Sequence, residues 1–261
     1  MKFNGRNIRI GARARIGRNV RIGDNVAIYD GVEIGDDSIV CNDCVLGEPL
    51  STYYSDQHYE NPRTVIGRGA CIRSHAILYA GCEIGEGFST GHRVTIREGT
   101  VIGNHCSIGT MTDIQGYVRI GNYCRLHSNV HLAQGSRIDD FVFFYPFSVM
   151  TNDPWPPSTD LQGGYVKSFT QVGVHAVILP GIVVGANCLV GANSVVSKAV
   201  PDFSLASGDP ARVVMDIRNY VAMGKGRPYP WMQRFDRGMP WEGIGFEQWM
   251  TMQQQSTEVS L

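Results

Sequence analysis

The chain has 261 residues, 43% of them hydrophobic and 18% charged, enough to bury a sizeable core in one or two domains. Its 23 basic and 24 acidic side chains leave a net charge near −1, without the basic surplus that a phosphate-tracking nucleic-acid binder needs. No apolar run approaches the roughly 18 residues of a membrane span, and the opening MKFNGRNIRIG lacks the apolar stretch of a secretory signal, so the expectation is a soluble, cytoplasmic protein with neither nucleic acid nor membrane as partner.

The composition is unusual in its 31 glycines, and they are periodic. From Ile10 a branched aliphatic recurs every six residues: Ile16, Ile22, Ile28, Ile34, Val40, Leu46. The phase restarts at Ile66 and holds to Met150, then restarts at Val172 and holds to Val196. That makes 27 repeat starts, 14 of them followed by Gly. A helix with its period of 3.6 cannot keep a six-residue phase, so these are short strands. Four positions after each start the residue is mostly small or β-branched, as at Ala14, Ser38, Ala76, Thr100 and Ser194. Three such sides make a triangular coil of 18 residues, and coils stack. The expectation is an all-β, parallel β-helix of about nine coils, roughly 43 Å long at the ~4.8 Å spacing of neighbouring strands.

Two loops interrupt the period. The first, 48–63, is polar and rich in tyrosine; the second, 152–171, contains DPWPPSTDLQGG, where Pro and Gly prevent strand continuation. The β-helix is expected over residues 1–201 and a tail over 202–261. In that tail a short helix over 211–223 precedes an aromatic, Pro-rich segment and a frayed end.

Five of the seven cysteines (Cys44, Cys82, Cys106, Cys124 and Cys188) fall at the small inward position and are read as reduced fillers. In an 18-residue coil, side chains stack when their numbers differ by 18. Asp113 and His131 do, and a carboxylate about 5 Å away orients an imidazole and raises its basicity. Gln134 and Asn152 also differ by 18, which puts two amides beside the second loop. The competing reading of His131 is a solvated surface residue or a ladder contact.

The pattern aliphatic-Gly-x-x-small-x resembles the hexapeptide-repeat family of left-handed parallel β-helices over roughly Ile10–Val200. Within it, residues 172–214, ending in Ser197-Lys198 and GDPAR, look like the acyl-CoA-binding end of sugar and amino-acid acetyltransferases. That resemblance implies acetyl-CoA as co-substrate. Backbone contacts to the pantetheine arm would fall on Val174 and Ala192, and phosphate contacts on Ser197, Lys198 and Arg212. Some family relatives are zinc carbonic anhydrases, which need three converging His. No two of His75, His92, His105, His127, His131 and His175 differ by 18 or 36, so no metal site is expected within one subunit.

The galactoside and maltose acetyltransferase branch uses a His just before a Pro in the second loop as base, and here Asp153 stands in that slot before Pro154. The TNDPWPP string, the preceding LHSNVH and the tail's YPW and FDRGMPW instead resemble 3-N-acetyltransferases of nucleotide-linked 3-amino-3,6-dideoxyhexoses, which are trimers with active sites between subunits. The swap suits the chemistry. A hydroxyl needs a general base, whereas a neutral amine attacks a thioester well and needs chiefly a group to orient it. The catalytic candidates are therefore Asp153, Asn152 and Gln134 to hold the amine and His131 as proton acceptor. Tyr53 and Tyr54, suited to stacking on a base, are the acceptor-binding candidates together with Asp113 and His127. The implied function is an acetyl-CoA-dependent N-acetyltransferase for a nucleotide-linked aminosugar of surface polysaccharide, working as a homotrimer. The alternatives are the same fold with another acceptor (free sugar, serine, 4-amino sugar nucleotide), a non-catalytic β-helix scaffold and a zinc lyase.

Overall fold

The computed structural model describes residues 3, 5–222 and 226–258. The chain winds into a three-faced prism of parallel sheets. Face 1 runs from Arg9–Ile10 to Val195–Val196, face 2 from Arg15–Ile16 to Val183–Val184, and face 3 from Arg21–Ile22 to Leu189–Val190. Each strand pairs with the residue 18 further on, as in Arg9↔Ala27 and Asp113↔His131, except where a loop intervenes. The sheets hold 10, 9 and 11 strands, so the coil count runs slightly past nine.

The six-residue sequence unit explains this geometry. The aliphatic points inward and is lost to solvent: Leu46, Leu78, Ile96, Ile114, Leu132 and Ile178 are each 0% exposed on face 1. Each such burial contributes roughly 1.5–3 kcal/mol. The small residue closes the corner, and where it is polar it donates to a carbonyl, three residues back in its own coil for Ser136 and Ser148 and in the next coil for Thr112 and Thr170. Thr112 Oγ1 bonds His127 O at 2.9 Å, and Thr170 Oγ1 bonds Gly185 O at 2.7 Å. Cysteines do the same, Cys106 to Gly121 O and Cys124 to Asp139 O at 3.0 Å. All five inward cysteines are buried and free, as the spacing requires. Glycine after the aliphatic has a steric cause at Gly67, where an added Cβ would lie 2.5 Å from the carbonyl carbon of Gly85.

The residue before the small one takes a left-handed conformation, and on the edge between faces 2 and 3 this position carries rings. His105, Tyr123, Phe141 and Phe169 have φ between +55° and +61°. They stack in a column at 4.9, 5.3 and 4.8 Å.

Both loops leave the prism at the end of a face 1 strand and re-enter on face 2, so both stand on the edge between these faces. Five strand spacings separate them, about 24 Å at ~4.8 Å each. The first loop matches its expected span. The second is shorter than expected: Tyr165–Val166 is already a face 2 strand, paired with Arg137–Ile138, so the period resumes one repeat before Val172.

The tail also departs from expectation. Ser204–Gly208 extends face 3 in parallel with Leu189–Val190, and Ala211–Asp216 returns antiparallel to it, where a helix over 211–223 is expected. Tertiary pairing overrides local helix propensity here, and only a 3-10 turn, Ile217–Asn219, follows; Met223 lies outside the described residues. The α-helix is Phe246–Glu258, and Gln253–Glu258, read as part of a frayed end, belongs to it. The aromatic segment before it docks on face 3 and on the edge between faces 2 and 3. Trp231, Met232, Met239 and Trp241 are buried against Phe141 and Phe143 in a second apolar cluster. Among the described residues no helix is long and apolar enough to cross a membrane.

Candidate active site

The richest chemistry on the prism surface is on the solvent side of face 1. Asp113 and His131 are register partners on adjacent strands, and their outward side chains meet with His131 Nδ1 3.1 Å from Asp113 Oδ2. Asp113 also accepts Gln115 Nε2 at 2.6 Å. The His131 bond first, and the Gln115 bond after it, hold the Asp113 carboxyl below the usual carboxylate range against an opposing effect of burial. An ionised carboxylate accepts the Nδ1 proton, which leaves Nε2 with its lone pair directed away from the dyad. Both side chains are about 40% exposed, so Nε2 is open to a ligand. Gln115 also accepts Arg97 Nη1 at 3.1 Å, and Arg97 is fixed by a bidentate pair with Glu98. Neither Gln115 nor Arg97 is among the sequence candidates. Their 18-residue separation, and Gln115 lying two residues beyond Asp113, are the signals that find them.

The amide pair is also brought together. Asn152 Nδ2 donates to the backbone carbonyl of Gln134 at 3.2 Å on the edge between faces 1 and 2. Asp153 is engaged by its own loop: it accepts Trp155 N at 3.0 Å, Ser158 N at 2.7 Å and Ser158 Oγ at 2.7 Å. The Ser158 hydroxyl is the largest cause of its lowered pKa. Three of a carboxylate's roughly four acceptor positions are thus used internally.

Four of the five expected coenzyme residues divide between the two edges of face 1, and the fifth, Arg212, lies at the end of face 3. Val174 and Ala192 lie one coil apart on the edge between faces 3 and 1, and both are exposed. Ser197 and Lys198 follow the last face 1 strand, on the opposite edge, and Lys198 is exposed. Arg212 is exposed on the antiparallel strand that ends face 3, with Nη1 on Ala211 O at 3.0 Å.

His127 stacks on Tyr145 at 5.1 Å and 20° on the edge between faces 3 and 1. Burial, and then Arg125, push its pKa down, which favours the neutral ring. Tyr53 and Tyr54 sit in a 3-10 turn of the first loop in edge-to-face contact with each other, and Tyr53 also meets Tyr59. They lie three strands from Asp113 along face 1, about 14 Å at ~4.8 Å per strand, so the structure does not bring them to the dyad. Among the described residues no three His, Cys, Asp or Glu side chains gather as a metal site.

Two family models match parts of the chain: bacterial transferase hexapeptide (six repeats) over residues 13–48, and hexapeptide repeat of succinyl-transferase over 170–198. A putative acetyltransferase of Staphylococcus aureus (strain MRSA252) is 45% identical over 56 residues, 22% of this chain and 28% of that protein. The dTDP-3-amino-3,6-dideoxy-alpha-D-galactopyranose 3-N-acetyltransferase of Aneurinibacillus thermoaerophilus is 43% identical over 56 residues, 22% of this chain and 27% of that one. These matches span less than a third of the relatives' own length. An Arabidopsis UDP-N-acetylglucosamine acyltransferase superposes over 79% of this chain and 72% of its own with a TM-score of 0.65 at 19% identity, a likeness of fold.

Proposed function

We propose that this hexapeptide-repeat protein is an acetyl-CoA-dependent acetyltransferase acting on the amino group of a nucleotide-linked aminosugar. The observation that carries the reading is the Asp113–His131 dyad, open to solvent on face 1 between the two edges that hold the coenzyme-motif residues. The short match to a dTDP-aminosugar 3-N-acetyltransferase supports the acceptor class.

In this reading the acceptor enters as its ammonium form and loses a proton before attack. The amine nitrogen bonds to the thioester carbonyl carbon, the carbon–sulfur bond then breaks, and CoA leaves as the thiolate or thiol. The nitrogen sheds two protons in all: the first, lost before attack, goes to solvent, and His131 Nε2 takes the second after attack and passes it to the departing sulfur. Asp113 holds the imidazole in the required tautomer and stabilises its charged form. Asp153 acts through the loop that it closes, which sets Asn152 above Gln134 beside the acceptor. Lys198 and Arg212, both exposed, suit the coenzyme phosphates.

A single prism does not enclose a coenzyme whose contacts lie on two edges of one face and at the end of another. The reading therefore includes a closed homo-oligomer, in which one protomer's edge completes the groove on its neighbour, most simply as a trimer. Met111, Phe147 and Val174 on the edge between faces 3 and 1 are 54%, 50% and 39% exposed, separate apolar side chains that suit such a contact.

The test is thiol release from acetyl-CoA against dTDP-, UDP- and GDP-linked 3-amino and 4-amino sugars, free sugars and serine. Release with an aminosugar nucleotide supports the reading, and silence across the panel sinks it. The well-formed dyad itself favours a second reading, O-acetylation, because a hydroxyl acceptor needs a base. Release with hydroxyl acceptors alone selects it.

A further inference from the structure

The C-terminal segment does more than cover the prism. Between it and face 3 lies a cleft of about 600 Å³, within the range of small-molecule sites. Its floor is one outward column of side chains on successive strands, Arg125, Phe143 and Gln171. Its far wall comes from the tail, at least 60 residues further on in sequence, as Trp231, Phe235 and Arg237. The stacked pair His127–Tyr145 forms the rim towards face 1, with Tyr145 OH accepting Gln171 Nε2 at 3.1 Å.

Three features mark the cleft as built for a ligand. Its lining holds two arginines and no carboxylate. Arg125 Nε is buried with no hydrogen-bond partner, while Nη2 donates to the carbonyl of Arg237 at 2.8 Å, so the guanidinium is held by the tail with its Nε donor unused. Finally, the tail closes on Arg125 through Gly238, at φ +66°, where a Cβ would come within 2.5 Å of Arg125 Nη2. Orphaned buried donors are costly, and burial already pushes the Arg125 pKa down. An anion is the natural complement to Arg125, and the half-buried Phe235 ring, backed by the buried Phe143 and Trp231, offers an apolar surface for a flat ring.

We infer that this cleft is the subsite for the nucleoside diphosphate end of the acceptor, with the base against the aromatic wall and the diphosphate on Arg125 and Arg237. This rests on the acceptor being nucleotide-linked. His127 at the rim and His131 on face 1 are four residues apart, no more than about 14 Å along the chain, so a sugar carried on the diphosphate turns the corner towards the dyad. CoA also ends in a nucleoside diphosphate. Its expected phosphate contacts, Lys198 and Arg212, however, lie beyond the last face 1 strand and at the end of face 3, away from the Arg125 coil.

The test is titration calorimetry of the full chain with dTDP, UDP, inorganic phosphate and CoA, for the wild type, Arg125→Gln and the surface variant Arg237→Gln. The expected result is that dTDP or UDP binds at least tenfold more tightly than phosphate. Each substitution weakens that binding at least tenfold while CoA binding stays within twofold. The inference is overturned if neither nucleotide binds the wild type, if both variants bind nucleotide normally, or if CoA binding falls together with nucleotide binding. Nucleotide binding that depends on both arginines, with no acetyl transfer to any amine, would keep the subsite and remove the proposed function. Transfer to an aminosugar nucleotide with KM unchanged in both variants would do the reverse.

Discussion

Replacing Asp113 by Asn tests the dyad with the least change of shape. The carboxylate oxygen is 3.1 Å from His131 Nδ1. Coulomb's law at that distance brackets the charge interaction between about 1 kcal/mol in bulk water and about 5 kcal/mol at an effective dielectric of 20. With both groups about 40% exposed, solvent screening places it near the lower end. A value of roughly 1.5–2 kcal/mol corresponds to about a ten- to thirtyfold loss of turnover, since 1.36 kcal/mol is one decade. The assay is steady-state thiol release with the best acceptor. The expected outcome for Asp113→Asn is a lower kcat with the KM for acetyl-CoA unchanged, and for His131→Ala a loss on the order of 10²–10⁴. Turnover within twofold of wild type in both variants would refute the reasoning. A stability measurement checks the electrostatics separately. A carboxyl whose folded pKa is depressed contributes stability that is present above its unfolded value near 3.9 and is lost as pH falls through the lower folded value. The urea midpoint difference between wild type and Asp113→Asn should therefore shrink as pH falls below about 4.

Other outcomes follow from the same structure. Burial pushes the Cys44, Cys82 and Cys188 thiols up to about 11, 12 and 11. At pH 8 a thiol reagent should therefore reach at most Cys41 and Cys71 in the native protein and all seven in urea; a third fast thiol would contradict the inward placement. Asp153→Ala should speed protease cleavage within 155–161 and lower turnover at least tenfold, and normal values of both would free Asp153 of any role. Trp241→Ala removes a side chain that is 0% exposed, whose Nε1 donates to Phe235 O at 2.9 Å. It should cost about 3–5 kcal/mol, seen as proteolytic release of the tail while the coils keep their melting temperature, because a solenoid's stability is local. A melting temperature that falls for the whole chain would show that the tail is integral to the prism.

The coils and the dyad were legible because the fold is almost one-dimensional: a difference of 18 in sequence is a contact in space, so Asp113 and His131 could be paired by subtraction. The same rule stacks Asn152 on Gln134. It weakens where the period is masked. Val166 lacks a following Gly and comes two residues after Gly163-Gly164, so the pattern reads as loop as far as 171. It fails where contacts are not set by the period. The strand Ala211–Asp216 exists because Ser204–Gly208 offers an edge to pair with, and a six-residue stretch carries too little pattern of its own to show this. The cleft was invisible for a stronger version of the same reason, since Arg125 meets Arg237 across 112 residues and no local signal foretells the docking.

The placement of both loops on one edge makes the prism a ruler. Each coil adds about 4.8 Å between them and returns every side chain to the same direction, so an 18-residue deletion such as 83–100 shortens the gap by one graduation without rotating either loop. Distance along the edge and chemistry on the faces can therefore change independently. Chains built this way can fit longer or shorter ligands by counting coils, while Asp113 and His131 keep their mutual geometry.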